Sequence, residues 1–111
     1  MAPTRDPIPP GTLDMLILQT VARLREGHGF EIAEAIRRAS AEVLQVEEGS
    51  LYPALQRLLI KGWLVGTWGR TDENRKARYY RITASGKKQL AVELDSYRRV
   101  SVAIAAVLRP A

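Results

Sequence analysis

The stretch from Gly49 to Thr83 constrains this chain most, because a short amphipathic helix is followed there by a strongly basic two-stranded hairpin. In EGSLYPALQRLLIKGW, Leu51, Leu55 and Leu58 recur at helical spacing while Ser50, Pro53, Gln56 and Arg57 project from the other side. Ser50 is expected to cap the N-terminus, and Pro53 to fall in the first turn, where its missing N–H has no intrahelical partner. Gly62 suits a left-handed C-terminal cap. WLVGTW then offers aromatic and β-branched residues for a strand, GRTDENRKA a turn, and RYYRIT a second strand. In that second strand Tyr80 and Ile82 share one face, and Tyr79, Arg81 and Thr83 the other.

From Lys61 to Lys88 the chain carries eight positive residues against Asp72 and Glu73, a net +6, whereas the whole chain is only +5. A basic block beside an amphipathic helix is the electrostatic footprint of a protein that neutralises phosphates and releases counterions. The rival reading is a solvated hairpin whose charges only confer solubility, and charge alone leaves both open.

At 111 residues and 46% hydrophobic, the chain suits one domain with one small core. It has no cysteine, which excludes disulfides and thiolate metal sites, and its one histidine, His28, has no partner for a ligand cluster. No metal or cofactor is expected. MAPTRDPIPP lacks the apolar run of a signal peptide, and the apolar stretch from Val100 to Leu108 falls far short of the roughly 20 residues that span a bilayer. The expectation is a soluble cytoplasmic protein. No nucleophile elbow, phosphate-cradling glycine loop or acid–base pair can be found, so an enzyme is not expected.

Residues 1–10, with four prolines, read as a flexible tail. Thr12 is expected to cap a first helix, TLDMLILQTVARLREG, with Leu13, Leu16, Ile17, Thr20 and Leu24 on its core face and Gly27 closing it. After a turn at His28 and Gly29, FEIAEAIRRAS gives a second helix with Ile32, Ala33 and Ile36 inward and Glu34, Arg37 and Arg38 outward. Ser40 to Glu48 link it to the third. Thr83 is expected to cap a last helix of about 25 residues, from Ala84 to near Leu108. Leu90, Leu94, Tyr97, Ser101, Ile104 and Leu108 alternate there at spacings of four and three, the seam of a coiled coil or bundle. That seam is expected to form a homodimer interface, the rival reading being that it folds back on its own core. The resulting architecture is mainly α with a small β-hairpin wing. A winged helix-turn-helix spans residues 11–83, and a long dimerisation helix spans 84–111.

This order of elements, and the words within it, resemble the PadR family of bacterial transcriptional regulators. The words are GTLDMLILQT, HGFEIAEAI, EGSLYPALQRL, KGWL and RKARYYRITASGKKQL, in the family's order over about Gly11 to Leu90. The single C-terminal helix is similar to the smaller members. The resemblance implies a homodimer that presents two wings to one face of double-stranded DNA and acts as a repressor at a palindromic operator. Two departures stand out. Leu59 and Ile60 occupy positions where relatives typically carry charge, and no tryptophan lies at the seam, where Tyr97 is the only aromatic. A small-molecule effector is therefore not implied.

On this reading the helix 50–61 and the wing 69–78 carry the DNA contacts. Tyr52 is expected to donate its hydroxyl to a phosphate, as the family's LYP tyrosine does, or else to pack on the second helix. Ser50, Gln56 and Arg57 are candidates for groove contact, since arginine and glutamine pair with guanine and adenine edges. Lys61, Arg70, Asn74, Arg75, Lys76 and Arg78 suit phosphates or a minor groove, and Tyr79 the DNA backbone, while Tyr80 suits the core. Asp72 and Glu73 are expected at the wing tip, turned away. Trp63 and Trp68 are expected in the core. The alternative function is a winged helix that binds protein without specific DNA binding; salt-dependent DNA binding separates the two.

Overall fold

The computed structural model describes residues 8–9 and 11–110, so the expected tail lies outside the described residues except for Ile8 and Pro9. Its elements run α1 (Leu13–Leu24), β1 (Gly27–His28), α2 (Gly29–Ala39), α3 (Glu48–Ile60), β2 (Leu64–Arg70), β3 (Lys76–Ile82) and α4 (Ala84–Val107). The three strands form an antiparallel sheet in the order β1-β3-β2.

Apolar residues lie nearly all round α1, so its partners decide which ones are buried. It packs against α2, α3, α4 and β3, and the residues it buries are Met15, Ile17, Leu18 and Val21. Of the expected core face, Ile17 is fully buried and Leu13 and Leu16 pack partly, but Leu24 is 39% exposed. Thr12 holds the N-cap position without capping. Its backbone is helical rather than extended, and its hydroxyl donates to the Pro9 carbonyl at 2.7 Å. The helix ends at Arg25, with φ 70°, and not at Gly27.

The turn expected at His28 and Gly29 is not there: Gly27 and His28 form the short strand β1, in which Gly27 pairs with Tyr80 and His28 with Tyr79, and Gly29 begins α2. His28 also caps α2. Its Nδ1 accepts from the Glu31 N–H at 3.5 Å, and the Glu31 carboxylate accepts from the His28 N–H at 3.1 Å, a reciprocal capping box. Ile32 and Ile36 of α2 enter the core as expected. On its outer side Arg37 bonds Glu34 and Glu42, and the Arg37 hydrogen bond holds the Glu34 carboxyl below the usual carboxylate range.

α3 starts upstream of the expected cap. Glu47 takes the extended N-cap backbone, and its carbonyl accepts from both Ser50 and Leu51 N–H, so Ser50 lies inside the first turn. Pro53 consequently sits past that turn, and the Gly49 carbonyl loses its i+4 donor. Leu51, Ala54, Leu55 and Leu58 are buried, Leu59 packs partly against the core, and Ile60 stays 76% exposed at the helix end. Gly62 then adopts φ 76°, with its N–H bonded to the Leu59 carbonyl and that of Trp63 to the Leu58 carbonyl. These two bonds make the Schellman C-cap that only a residue free of a Cβ adopts without strain.

The wing strands pair from Leu64↔Ile82 to Arg70↔Lys76. The core gathers Ile17, Leu18, Val21, Ile32, Leu55, Leu58 and Leu64, all fully buried, beneath this sheet and between the first three helices. Thr83 caps α4 as expected. Its hydroxyl accepts from the Gly86 N–H at 3.0 Å and donates to the Gly62 carbonyl at 2.7 Å, which ties α4 to the corner between α3 and β2. The corner is tight enough that a Cβ at Gly86 would stand 2.1 Å from the Trp63 carbonyl oxygen. Beyond this anchor only Leu90, 7% exposed, and the partly buried Leu94 belong to the core. The rest of α4 extends away from the body, and the described chain measures 57 × 39 × 22 Å.

Candidate nucleic-acid interface

Burying Leu51, Ala54, Leu55 and Leu58 leaves Ser50, Tyr52, Gln56 and Arg57 exposed on the outer face of α3, with Lys61 exposed just beyond its end. Of the two expectations for Tyr52, packing on the second helix is observed. Its ring lies against Gly29 at the start of α2, where a Cβ would come within 3.0 Å of the phenol oxygen, yet the residue is 51% exposed. Arg57 is engaged, with Nη2 donating to the Asp14 carboxylate of α1 at 2.9 Å. Lys61 lies over the Trp63 ring at 4.7 Å.

The register of the wing decides which of its side chains face α3. Paired residues share a face, so Leu64, Gly66, Trp68 and Arg70 lie on the same side as Ile82, Tyr80, Arg78 and Lys76. Leu64 and Tyr80 are buried, which makes this the core side, but the wing outruns the helices beneath it. Trp68 is therefore 64% exposed instead of buried as the sequence suggested, with Lys76 Nζ 4.8 Å and the Arg78 guanidinium 5.7 Å from its ring centroid. Arg78 lies flat across Gly66, where a Cβ would meet its Nε at 2.5 Å, and that Nε is buried without a hydrogen-bond partner.

A cleft of about 890 Å³ opens between the start of α2, Tyr52 and this face of the wing. It brings together four of the sequence-named residues, Tyr52, Arg75, Lys76 and Arg78. Asp72 and Glu73 also line it, so they are not turned away, and Glu73 lies 3.8 Å from Arg75 Nε. Ser50 and Arg57 line a second groove, of about 450 Å³, beside Pro9, Gly11 and Glu47. Gln56, Lys61, Arg70, Asn74 and Tyr79 line neither. Arg70 donates to the Asn74 carbonyl at 3.2 Å, and Asn74, with φ 62°, shapes the turn. Tyr79, expected to reach a DNA backbone, instead donates its hydroxyl to the Arg70 carbonyl at 3.1 Å and sets its ring against His28. Burial pushes the Tyr79 hydroxyl above its usual value, with Glu31, Asp72 and Glu26 adding to the shift.

Sequence reasoning missed Phe30 and Trp68 as lining residues of the cleft, and Phe30 is 69% exposed. A signal for each existed. Phe30 falls off the stripe of Ile32 and Ile36, and Trp68 pairs with Arg78 once the hairpin is closed around its turn. Of the seam residues, Leu90 and Leu94 belong to the protomer's own core, whereas Tyr97, Ile104 and Leu108 are 51%, 53% and 75% exposed and Ser101 is half-buried. No described helix is long and apolar enough to cross a membrane.

The fold has counterparts among solved structures. A transcriptional regulator from Clostridium thermocellum superposes with a TM-score of 0.80 at 26% identity, covering 89% of this chain and 95% of that one. A PadR-like transcriptional regulator from Bacillus cereus superposes at 0.76 with 29% identity, covering 91% and 95%. An uncharacterized protein of Lysinibacillus sphaericus is 31% identical over 90 residues, which is 81% of this chain and 82% of that one. The sequence model of the transcriptional regulator PadR-like family matches residues 17–92. With that match across most of its length, on a winged-helix fold shared with solved regulators, the chain belongs to the PadR-like family of transcriptional regulators.

Proposed function

We propose that this regulator is a cytoplasmic homodimeric repressor that binds a palindromic operator, with α3 in the major groove and the wing on the flanking backbone. The observation that carries the reading is the exposed outer face of α3 set beside a cleft rimmed by Arg75, Lys76 and Arg78. Helix side chains suit base edges, and the cleft cations and the Tyr52 hydroxyl suit phosphates. Ser50, Gln56 and Arg57 are assigned to bases. Tyr52, Lys61, Arg75, Lys76 and Arg78 are assigned to phosphates, with Arg70, Asn74 and Tyr79 shaping the wing that presents them. The dimer forms through the distal half of α4, where Tyr97, Ile104, Val107 and Leu108 are exposed. A two-fold dimer of this kind reads half-sites about one helical turn, roughly 34–36 Å, or a multiple of it apart. Repression follows from occupying a promoter.

Fluorescence anisotropy against duplex from upstream of the chain's own gene and against a scrambled duplex, at low and moderate salt, tests this. Preference of about a thousandfold or more is expected for a specific, self-regulating binder. Equal and steeply salt-dependent binding would place the operator elsewhere. No binding at either salt would favour a winged helix that binds protein.

A further inference from the structure

The only arginine of α3, Arg57, does not project freely. Its Nη2 donates to Asp14 Oδ1 at 2.9 Å, joining the recognition helix to the first turn of α1 across 43 residues of sequence. The carboxylate is the more sheltered partner, with 21% of the Asp14 side chain accessible against 51% of that of Arg57. A guanidinium has five N–H donors, and a bond at Nη2 leaves those on Nη1 and Nε for another acceptor.

Asp14 is thus placed behind the arginine with respect to solvent, and two consequences follow for any ligand of α3. The long side chain is already ordered before it docks, so less conformational freedom is lost on binding. Its charge is also partly neutralised by the protein, so it contributes less to sequence-independent attraction for phosphates. Both effects favour base-edge recognition over backbone attraction at this one position.

We propose that Asp14 is a positioning residue for base selectivity: it holds the Arg57 guanidinium in the geometry that reads a base edge and prevents it from serving as a loose phosphate contact. The inference rests on the reading of α3 as the groove-binding helix. Exposed ion pairs add little to stability, so Asp14→Asn leaves the chain folded, which a circular-dichroism melt verifies.

The test is selection from a pool of duplexes with a randomised central segment, with bound DNA sequenced for the wild-type chain, Arg57→Ala, Asp14→Asn and Asp14→Glu. Wild type is expected to enrich a motif in which Arg57→Ala loses preference at one position per half-site. Asp14→Asn should lose about five- to tenfold of the preference at that same position, within the range that one arginine–base pair supplies. It should bind the unselected pool at least as tightly as wild type, with a salt slope steeper by up to about one. Asp14→Glu, which keeps a carboxylate, should restore most of the preference. A motif that Arg57→Ala loses and Asp14→Asn keeps would overturn the inference while leaving the DNA-reading helix intact. If the wild-type chain enriches no motif, the groove-binding reading fails and the inference with it.

Discussion

Replacing Leu90 and Ile104 by alanine, one at a time, separates the core packing of α4 from the dimerisation proposed for it. Both positions fall on the same heptad-like seam, yet Leu90 is 7% exposed and Ile104 is 53% exposed within the protomer. Leu90 packs on the core that α1 and α4 share. Truncating a buried leucine costs about 2–5 kcal/mol, and its place at the edge of the core puts the expected loss near the lower end, about 2–3 kcal/mol. A chain of this length is stabilised by roughly 6–16 kcal/mol in total, so that loss should lower Tm by about 10–20 °C. Leu90→Ala should do this at every protein concentration.

Ile104→Ala should behave in the opposite way. About half of the side chain is already covered in the protomer, so an interface can bury only the remainder, roughly 1 kcal/mol per copy. Two symmetric copies give about 2 kcal/mol, or about a thirtyfold weaker dimer. Urea unfolding at two protein concentrations tens of times apart, followed by tryptophan fluorescence, combined with sedimentation equilibrium, measures both quantities. The division would be refuted by a Leu90→Ala variant whose concentration-independent stability is intact but whose dimer is weakened. An Ile104→Ala variant that loses stability equally at all concentrations would refute it too.

Gly86→Ala should destabilise by about 2 kcal/mol in a thermal melt although alanine is the better helix former, because the new Cβ would stand 2.1 Å from a backbone carbonyl that cannot move without the wing; an unchanged or higher Tm would show that the corner relaxes freely. Trp68→Ala should change stability by less than about 0.5 kcal/mol, because the ring is mostly exposed. It should nevertheless weaken binding to every duplex, as Arg75→Ala should, the latter also lowering the salt slope by roughly one; anisotropy titrations that match wild type for both would remove the cleft from the interface. Burial raises the Tyr80 hydroxyl above its usual value of 10.0. A raised value favours the protonated form in the fold, so this contribution is complete below the unfolded value and is lost as pH rises through the folded one. Tyr80→Phe should therefore lose less stability than wild type in alkaline melts and lack one of the raised tyrosinate absorbance steps; equal alkaline losses would contradict the assignment.

How much of the fold was legible depended on how many partners each element has. α3 and β3 each pack on one side, so the leucine stripe found Leu51, Leu55 and Leu58 and the strand alternation found Tyr80, whereas Ala54 and Leu64 went unnamed and Trp68 of β2 was placed in the core. α1 touches four other elements, and apolar residues at 13, 15, 16, 17, 18 and 21 offer several stripes between which only those neighbours choose. Helix starts were legible where a side chain makes the cap, as at Thr83, and not where the backbone does, as at Glu47, because an extended φ/ψ leaves no residue signature. β1 is two residues long, and its pairing with β3 is fixed by the tertiary fold rather than by any local alternation.

The candidate site divides along the same line. Which residues are basic was readable, but which of them are free to meet DNA is a property of contacts made across the fold. Arg57 is held by a carboxylate 43 positions away, Arg78 is folded flat because position 66 is a glycine, and the Tyr79 hydroxyl is taken by the carbonyl of Arg70 on the opposite strand. None of these leaves a mark in charge counting, where Arg57, Arg75 and Arg78 are equivalent. The exposed aromatics show the converse. Trp68 was expected in the core because large apolar residues usually are, and Phe30 was given no place, yet the wing extends past the helices and the short β1 pins the start of α2 beside it. A site formed this way, with its side chains supplied by several elements, takes its specificity from the packing that fixes those elements. Substitutions at Asp14, Gly66 or Gly86, none of which is needed to touch DNA, are therefore expected to alter its recognition.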